Sequence, residues 1–392
     1  MPSAVSFAAC SSRPASAKAA AASRRFFASL ASTASTSSSP SSRLARPATS
    51  AAPTAASAIR KVEVVTSSRA FSAVRMSTVR RSFNVPMDGE TTLLSMRKRT
   101  LFRFAAGTAV VGAATLAYAS LVERNMFTLR RYEVPVLPAD AEPLRILHLS
   151  DLHMMPNQRR KQEWVASLAG LDPDLVLVTG DNMAHPDAVP GVLCALQPLL
   201  DHPGAFVFGS NDYTGPVWKN PFTYFLPDRG YTEGVTLPYD ELRDVFTGAG
   251  WADLNNARTT LKAGGRLVEL VGVDDPHIER DDYAAVAGPV SPSADLSVAL
   301  SHSPEPAVLD QIAEDGFNLL LAGHTHGGQV CVPGVGALVT NCGLHRSMAK
   351  GLHRWPGSDA WLHVSAGLGT HPTAPVRFAC PPEASILTLI PR

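Results

Sequence analysis

The sequence predicts an α/β protein in which two sheets lie face to face with helices outside, and three observations carry that prediction. Short apolar runs alternate with amphipathic segments through the first part of the soluble region. "LRILHLS" (Leu144 to Ser150), "LVLVTG" (Leu175 to Gly180) and "AFVFG" (Ala205 to Gly209) read as strands, with "RRKQEWVASLAGL" and "AVPGVLCALQPLL" as helices between them. That alternation marks βαβ units. The later region holds the strand-like runs "LVELVGV", "LSVALSH", "NLLLAGH", "QVCVPG", "WLHVSAG" and "SILTLI" with a single clear helix, "EPAVLDQIAEDG". So many strands with so few helices suit two sheets better than one open sheet. Polar residues and glycines fall at the ends of these runs, where sheets of this kind place their ligand sites.

Composition divides the chain before that region. Residues 1–62 contain no Asp or Glu and are mostly Ala and Ser, so we expect no folded domain before about residue 95. The segment 1–95 fits disorder, a mis-assigned start or an organelle transit peptide. Met96 opens "MRKRTLFRFAAGTAVVGAATLAYASLVER", in which Arg97, Lys98, Arg99 and Arg103 precede an uncharged apolar stretch from Phe104 to Val122. At helical rise this crosses a hydrocarbon core of roughly 30 Å. Residues 96–123 therefore read as a transmembrane helix or signal anchor, with the basic flank placing everything after Glu123 outside the cytoplasm. Ala117-Tyr118-Ala119 resembles a signal-peptidase site, which would give a secreted product, and an Ala-rich core helix is the alternative. Residues 124–143 read as a Pro-rich linker and 144–392 as one continuous domain, with a loop near the site mouth from Asn220 to Asp240.

A net charge of +1 and no block of Lys and Arg beyond the apolar segment argue against a nucleic-acid partner. The five cysteines, Cys10, Cys194, Cys331, Cys342 and Cys380, lack C-x-x-C spacing, so neither a zinc ribbon nor a disulfide framework is indicated. One pair among the last four would be free to form outside the cytoplasm.

Ionisable and polar residues gather at five strand ends: Asp151 and His153, Asp181 and Asn182, Ser210-Asn211-Asp212, His302, and His324 and His326. In Asp-x-His and His-x-His the alternate residues share a face, and Gly327 and Gly328 leave the backbone free to approach a ligand. A single strand-end Asp is ordinarily a helix cap, and a lone His an ordinary polar residue. Together these carboxylate, amide and imidazole donors suit Mn, Fe or Zn, and the absence of thiolates argues against a structural zinc. They are more than one ion needs, and two ions bridged by a carboxylate suit phosphoryl chemistry.

The set "SDLH", "TGDN", "GSND", "SHSPEP" and "AGHTHGGQ" resembles the calcineurin-like metallophosphoesterases, in the branch with an N-terminal membrane segment and a GHTHGGQ ending. The likeness covers roughly Leu144 to Leu389, with further matches at "GVDDPH" and "SAGLGT…APVRFACPPE". It implies a four-layer αββα sandwich of two mixed sheets and a dinuclear site of divalent or trivalent transition-metal ions (Mn, Fe or Zn) at the strand ends. Carried over by position, Asp151, His153 and His326 would hold the first ion, Asp181 would bridge, and His302 and His324 would hold the second with an asparagine. Asn182 would organise the surroundings or contact phosphate. A hydroxide activated by the ions would hydrolyse a phosphodiester or pyrophosphate, with lipid-linked nucleotide sugars such as UDP-diacylglucosamine as the substrate suggested by this branch and membrane lipid as a partner. A binding or scaffold protein that kept the fold is the alternative.

The third motif departs from the family's Gly-Asn-His-Asp or Gly-Asn-His-Glu. Here Gly209-Ser210-Asn211-Asp212 places Ser210 on the ligand position and Asn211 on the histidine position. A serine hydroxyl is the poorer metal donor, so Asn211 is expected to be the ligand, and the motif has no imidazole. The missing group ordinarily contributes about 10²- to 10⁴-fold. Diesters and activated esters should therefore be favoured over alkyl monoesters unless His185, His277 or His371 takes its place.

Overall fold

The computed structural model describes residues 88–217 and 234–392, with side chains at 97 and from 99 onward. The leader lies outside the described residues up to 87. The described residues fall into two compact units, one containing Val110–Arg392 and the other ending at Ala109.

Helix α1, Asp88–Ala117, starts before Met96 and continues through a π-helical turn at Tyr118–Val122 and a 3₁₀ turn at Glu123–Asn125. Arg99–Asn125 is long and apolar enough to cross a membrane, and only 6% of its most apolar window is buried. It is not the buried core helix that its composition alone allows.

Two residues later the chain enters β1, Thr128–Leu137, which corrects the expected linker. Val134 and Leu137 are fully buried there, and β1 runs parallel to the last strand, β14, Glu383–Pro391. Strands β2 (Leu144–Leu149), β3 (Leu175–Thr179), β4 (Gly204–Val207) and β5 (Ala252–Asp253) complete the first sheet, ordered β1-β14-β2-β3-β4-β5. The second sheet is ordered β12-β13-β9-β8-β7-β6. It comprises β6 (Ala257–Ala263), β7 (Arg266–Gly272), β8 (Leu296–Leu300), β9 (Leu319–Ala322), β12 (Gly351–Arg354) and β13 (Trp361–Val364). Between β9 and β12 a small hairpin pairs β10 (Cys331–Val332) with β11 (Gly336–Ala337). Both large sheets are mixed. Strands β2 to β5 are parallel, as are β13, β9, β8 and β7, while β14 and β2, β12 and β13, and β6 and β7 pair antiparallel.

Strand alternation sorts the apolar side chains into three layers of core. Ile146, Leu177 and Val207 meet Leu270, Val298 and Leu321 between the sheets. The opposite face of the first sheet, with Leu147, Val178 and Phe206, is covered by α2 (Arg159–Ser167), α3 (Val189–Leu196) and α5 (Tyr239–Gly248) through Val165, Val192 and Phe246. The outer face of the second takes Val308, Leu309 and Ile312 from α6, Pro306–Glu314. The result is the expected αββα sandwich. The expected Asn220–Asp240 loop lies outside the described residues at 220–233, and its end is corrected. Tyr239 opens α5, whose Leu242, Val245 and Phe246 recur at helical spacing and are buried.

Candidate metal centre

Each residue singled out at a strand end follows a strand from the parallel part of a sheet, so the carboxyl ends of β2, β3, β4, β8 and β9 deliver them to one place. Their backbone is unusual. Asp151, His153, Asp181, His324 and His326 have φ of 50°, 39°, 54°, 66° and 49°. A non-glycine residue in this left-handed region costs about 1–3 kcal/mol and persists where its surroundings over-determine it. The approach is also close: a Cβ on Gly209 would collide with Asp181 Oδ1 and come within 2.6 Å of His302 Nε2.

Donor atoms converge. His153 Nε2 is 3.1 Å from His326 Nε2 and 3.3 Å from Asp181 Oδ2, and Asp181 Oδ2 is 3.4 Å from His302 Nε2. Asp151 Oδ1 is 3.6 Å from His326 Nε2. The ligand atoms of Asp151, His153 and His326 lie within 4.8 Å of one another, and so do those of Asp151, Asp181 and His302. Asp151 thus belongs to both sets, while Asp181 Oδ2 sits between His153 and His302.

Charge and hydrogen bonding both leave room for cations. Burial lowers the His153 pKa to about 3 and holds His326 well below the usual imidazole range, so both rings are neutral. Burial raises Asp151 to about 6, helped by Asp181 and opposed by His302. Burial would also raise Asp181, but the charge of His302 pulls it well below the usual carboxylate range. Burial would lower His302 in turn, yet Asp181 and Asp275 drive it well above its ordinary value. The carboxylates beside His302 thus call for positive charge in the cluster. His302 Nδ1 donates to the Thr179 carbonyl at 2.6 Å, whereas the buried Nε2 has no hydrogen-bond partner. With its proton fixed on Nδ1, a neutral His302 aims a lone pair at the cluster. The residues therefore fit metal ions.

The third turn forms a short helix, α4, Ser210–Tyr213. Ser210 N–H donates to Asp275 Oδ2 at 2.7 Å. Asn211 instead meets Asp181, its backbone N–H 2.8 Å from Oδ1 and its side-chain amide 2.8 Å from Oδ2. Asp212, which the motif reading gave no role, ties two turns together by accepting from the N–H groups of Asn182, Met183 and Gly209. Asn182 is fully buried, with its amide 3.3 Å from Asp212 Oδ2. His324 stands beside the two sets rather than in them. Its ring lies 5.2 Å from His302, and its Nε2 meets the Asn341 carbonyl at 3.2 Å.

Of the three histidines considered as substitutes, His277 lies tilted 4.4 Å from His324 and His371 lies 6.3 Å from His153, ring to ring. His185 pairs with Asp187 at 3.7 Å and is half-buried. Sequence reasoning also missed a buried chain behind Asp151. Ser150 Oγ donates to Asp151 Oδ2 (2.7 Å) and Thr179 Oγ1 donates to Ser150 Oγ (2.8 Å). His148 Nε2 contacts Thr179 Oγ1 (2.8 Å), and His363 Nδ1 meets His148 Nδ1 (2.9 Å). Arg377, fully buried, donates to the carbonyls of Ala366, Gly367 and Gly369 and lies 3.4 Å from His326 Nδ1. Cys331, Cys342 and Cys380 are free thiols.

Fold and site together define a metallophosphoesterase. The calcineurin-like phosphoesterase family matches residues 144–328, and the chain belongs to it. Among its relatives, the uncharacterized metallophosphoesterase YkoQ of Bacillus subtilis is 30% identical over 238 residues, covering 59% of this chain and 78% of that one. The phosphodiesterase YaeI of Escherichia coli is 26% identical over 303 residues, covering 75% and 100%. The UDP-2,3-diacylglucosamine pyrophosphatase LpxG of Chlamydia muridarum is 26% identical over 325 residues, covering 71% and 95%. The protein is a phosphate-ester hydrolase.

Proposed function

We propose that the chain is a membrane-tethered, dinuclear phosphoesterase that cleaves a phosphodiester or pyrophosphate bond in a lipid-linked substrate outside the cytoplasm. The observation that carries the reading is the gathering of three imidazoles and two carboxylates in two overlapping sets that share Asp151, with the buried His302 Nε2 making no hydrogen bond. The apolar helix Arg99–Asn125, the "GHTHGGQ" turn and the relatives' names, phosphodiesterase and UDP-2,3-diacylglucosamine pyrophosphatase, support the membrane and substrate parts. Oxygen and imidazole donors without thiolate suit Mn, Fe or Zn. Asp151, His153 and His326 would hold one ion and His302, His324 and Asn211 the other, with Asp181 available to both. Asn211 is preferred to Ser210 because its side chain lies against Asp181. Such a pair of ions, when bound, neutralises phosphoryl charge and acidifies a water from near 16 toward about 7.

Asp212 and Asn182 fix the second and third turns so that Asp181 and Asn211 keep their geometry. No imidazole stands at the third turn to protonate a leaving oxygen, so esters with good leaving groups suffer least.

The test combines metal content with turnover. The purified chain should bind about two transition-metal ions and hydrolyse an aryl phosphodiester faster than an alkyl monoester. Asp181→Asn should lower that activity by more than about 100-fold and reduce metal content. A chain that binds no metal on reconstitution and cleaves neither ester would sink the reading. Equal rates on the two esters would show instead that His277 or His371 supplies the missing group.

A further inference from the structure

Hairpin β10–β11 is apolar on both faces. Cys331 and Ala337 pair across it and point into a small buried cluster with Ala349, Ala366 and Cys380. The alternate positions Val330, Val332 and Leu338 are exposed by 39%, 41% and 42%, and Val335 at the turn by 63%. A hairpin with one face on the core ordinarily carries polar side chains on the other. Four large apolar side chains on such a face form a patch that calls for a partner other than water.

The surroundings indicate which partner. Val330 bridges to Phe378, and Cys331 N–H donates to the Phe378 carbonyl at 2.8 Å. The same short segment receives the end of the apolar helix. Arg377 N–H donates to the Ala119 carbonyl at 3.1 Å, and Cys380 N–H donates to Glu123 Oε1 at 2.7 Å. Glu123 is buried at this junction, while Tyr118, Leu121, Val122 and Met126 around it are exposed apolar side chains. The hairpin, the end of the helix and, through Arg377 and His326, the metal centre therefore meet at one segment, 377–380.

We propose that hairpin 330–338 dips into the lipid surface crossed by the helix, so that a lipid-linked substrate reaches the centre from the bilayer and not from water. The inference rests on the membrane reading of Arg99–Asn125. Interfacial elements of this kind bury their apolar side about 5–10 Å below the headgroups.

The experiment uses the full chain in phosphatidylcholine–phosphatidylglycerol vesicles, with an environment-sensitive fluorophore on Val335→Cys and the unsubstituted chain labelled in parallel as a control. The probe should report an apolar environment and lose at least about half its emission to lipids brominated on the acyl chains. A chain that floats with the vesicles while its probe stays unquenched overturns the hairpin contact and spares the membrane reading. A chain that does not float overturns both, and a probe shielded only by self-association makes a second copy the occupant and overturns the proposal. As a second readout, Val332→Asp and Val335→Asp should lower kcat/KM on a diacyl pyrophosphate embedded in vesicles by about tenfold or more. Turnover of a water-soluble aryl diester should stay within about twofold. Equal loss on both substrates, or on neither, overturns it.

Discussion

The carboxylate of Asp151 is held from behind by a chain of hydrogen bonds whose protons can be assigned. A carboxylate only accepts, so Ser150 donates to it and Thr179 donates to Ser150. Each hydroxyl has one proton, so His148 Nε2 must donate to Thr179. Burial lowers His148 to about 3 and puts His363 well below its usual value, so each ring carries a single proton. His148 Nδ1 then accepts from His363 Nδ1, which leaves His363 Nε2 as the lone pair, and that atom is indeed buried without a partner. Every donor points toward Asp151, leaving Oδ1 to face His326. Thr179→Val removes one link at nearly constant volume. It should weaken metal binding about 10- to 100-fold, measured by metal titration, and Thr179→Ser should restore it. Unchanged affinity in the valine chain would show that the chain serves packing alone. None of this was legible in the sequence, because His148 and His363 are 215 positions apart and read only as polar interruptions of apolar runs.

Among the elements, legibility followed locality. Strands β2, β3, β8 and β9 could be read because short apolar runs end in Gly, Asp or His, and the site residues could be read because they sit at those ends. Strand β1 could not. Arg130, Arg131, Glu133 and Pro135 break its alternation, and its partner β14 lies at the far end of the chain. Pairing with β14 supplies what composition withholds: Val134 and Leu137 are sealed there, and Arg130 meets Glu383 at 3.2 Å. Helix α5 was missed because it follows a Pro- and aromatic-rich run and carries no strong start signal. A chain beginning at Glu142 therefore loses an edge strand and not a tether. Its thermal midpoint should fall by about 10 °C or more relative to one beginning at Asn125. Equal midpoints would mean that β1 contributes nothing to the fold.

For the molecule as a whole, the two sheets share a buried imidazole pair, His148 from β2 and His363 from β13. The folded His148 pKa of about 3 lies below the 6.5 of an unconstrained ring. Above about 6.5 the ring is neutral in both states; as pH falls from there the unfolded ring takes up a proton that the buried one refuses, and stability is lost progressively down to about 3, on the order of 5 kcal/mol across that window. Metal-stripped protein should accordingly lose thermal stability between these values, and His148→Gln should flatten the slope. An unchanged slope would place the acid sensitivity elsewhere. The junction at Asn125 sets a different limit on the whole. Only Met126 and Phe127 separate the end of the helix from β1, a leash of at most about 7 Å. If the helix spans a bilayer, the enzyme cannot stray from its surface to sample soluble esters. Its search is confined to two dimensions, and its turnover should scale with the mole fraction of substrate in the membrane rather than with bulk concentration.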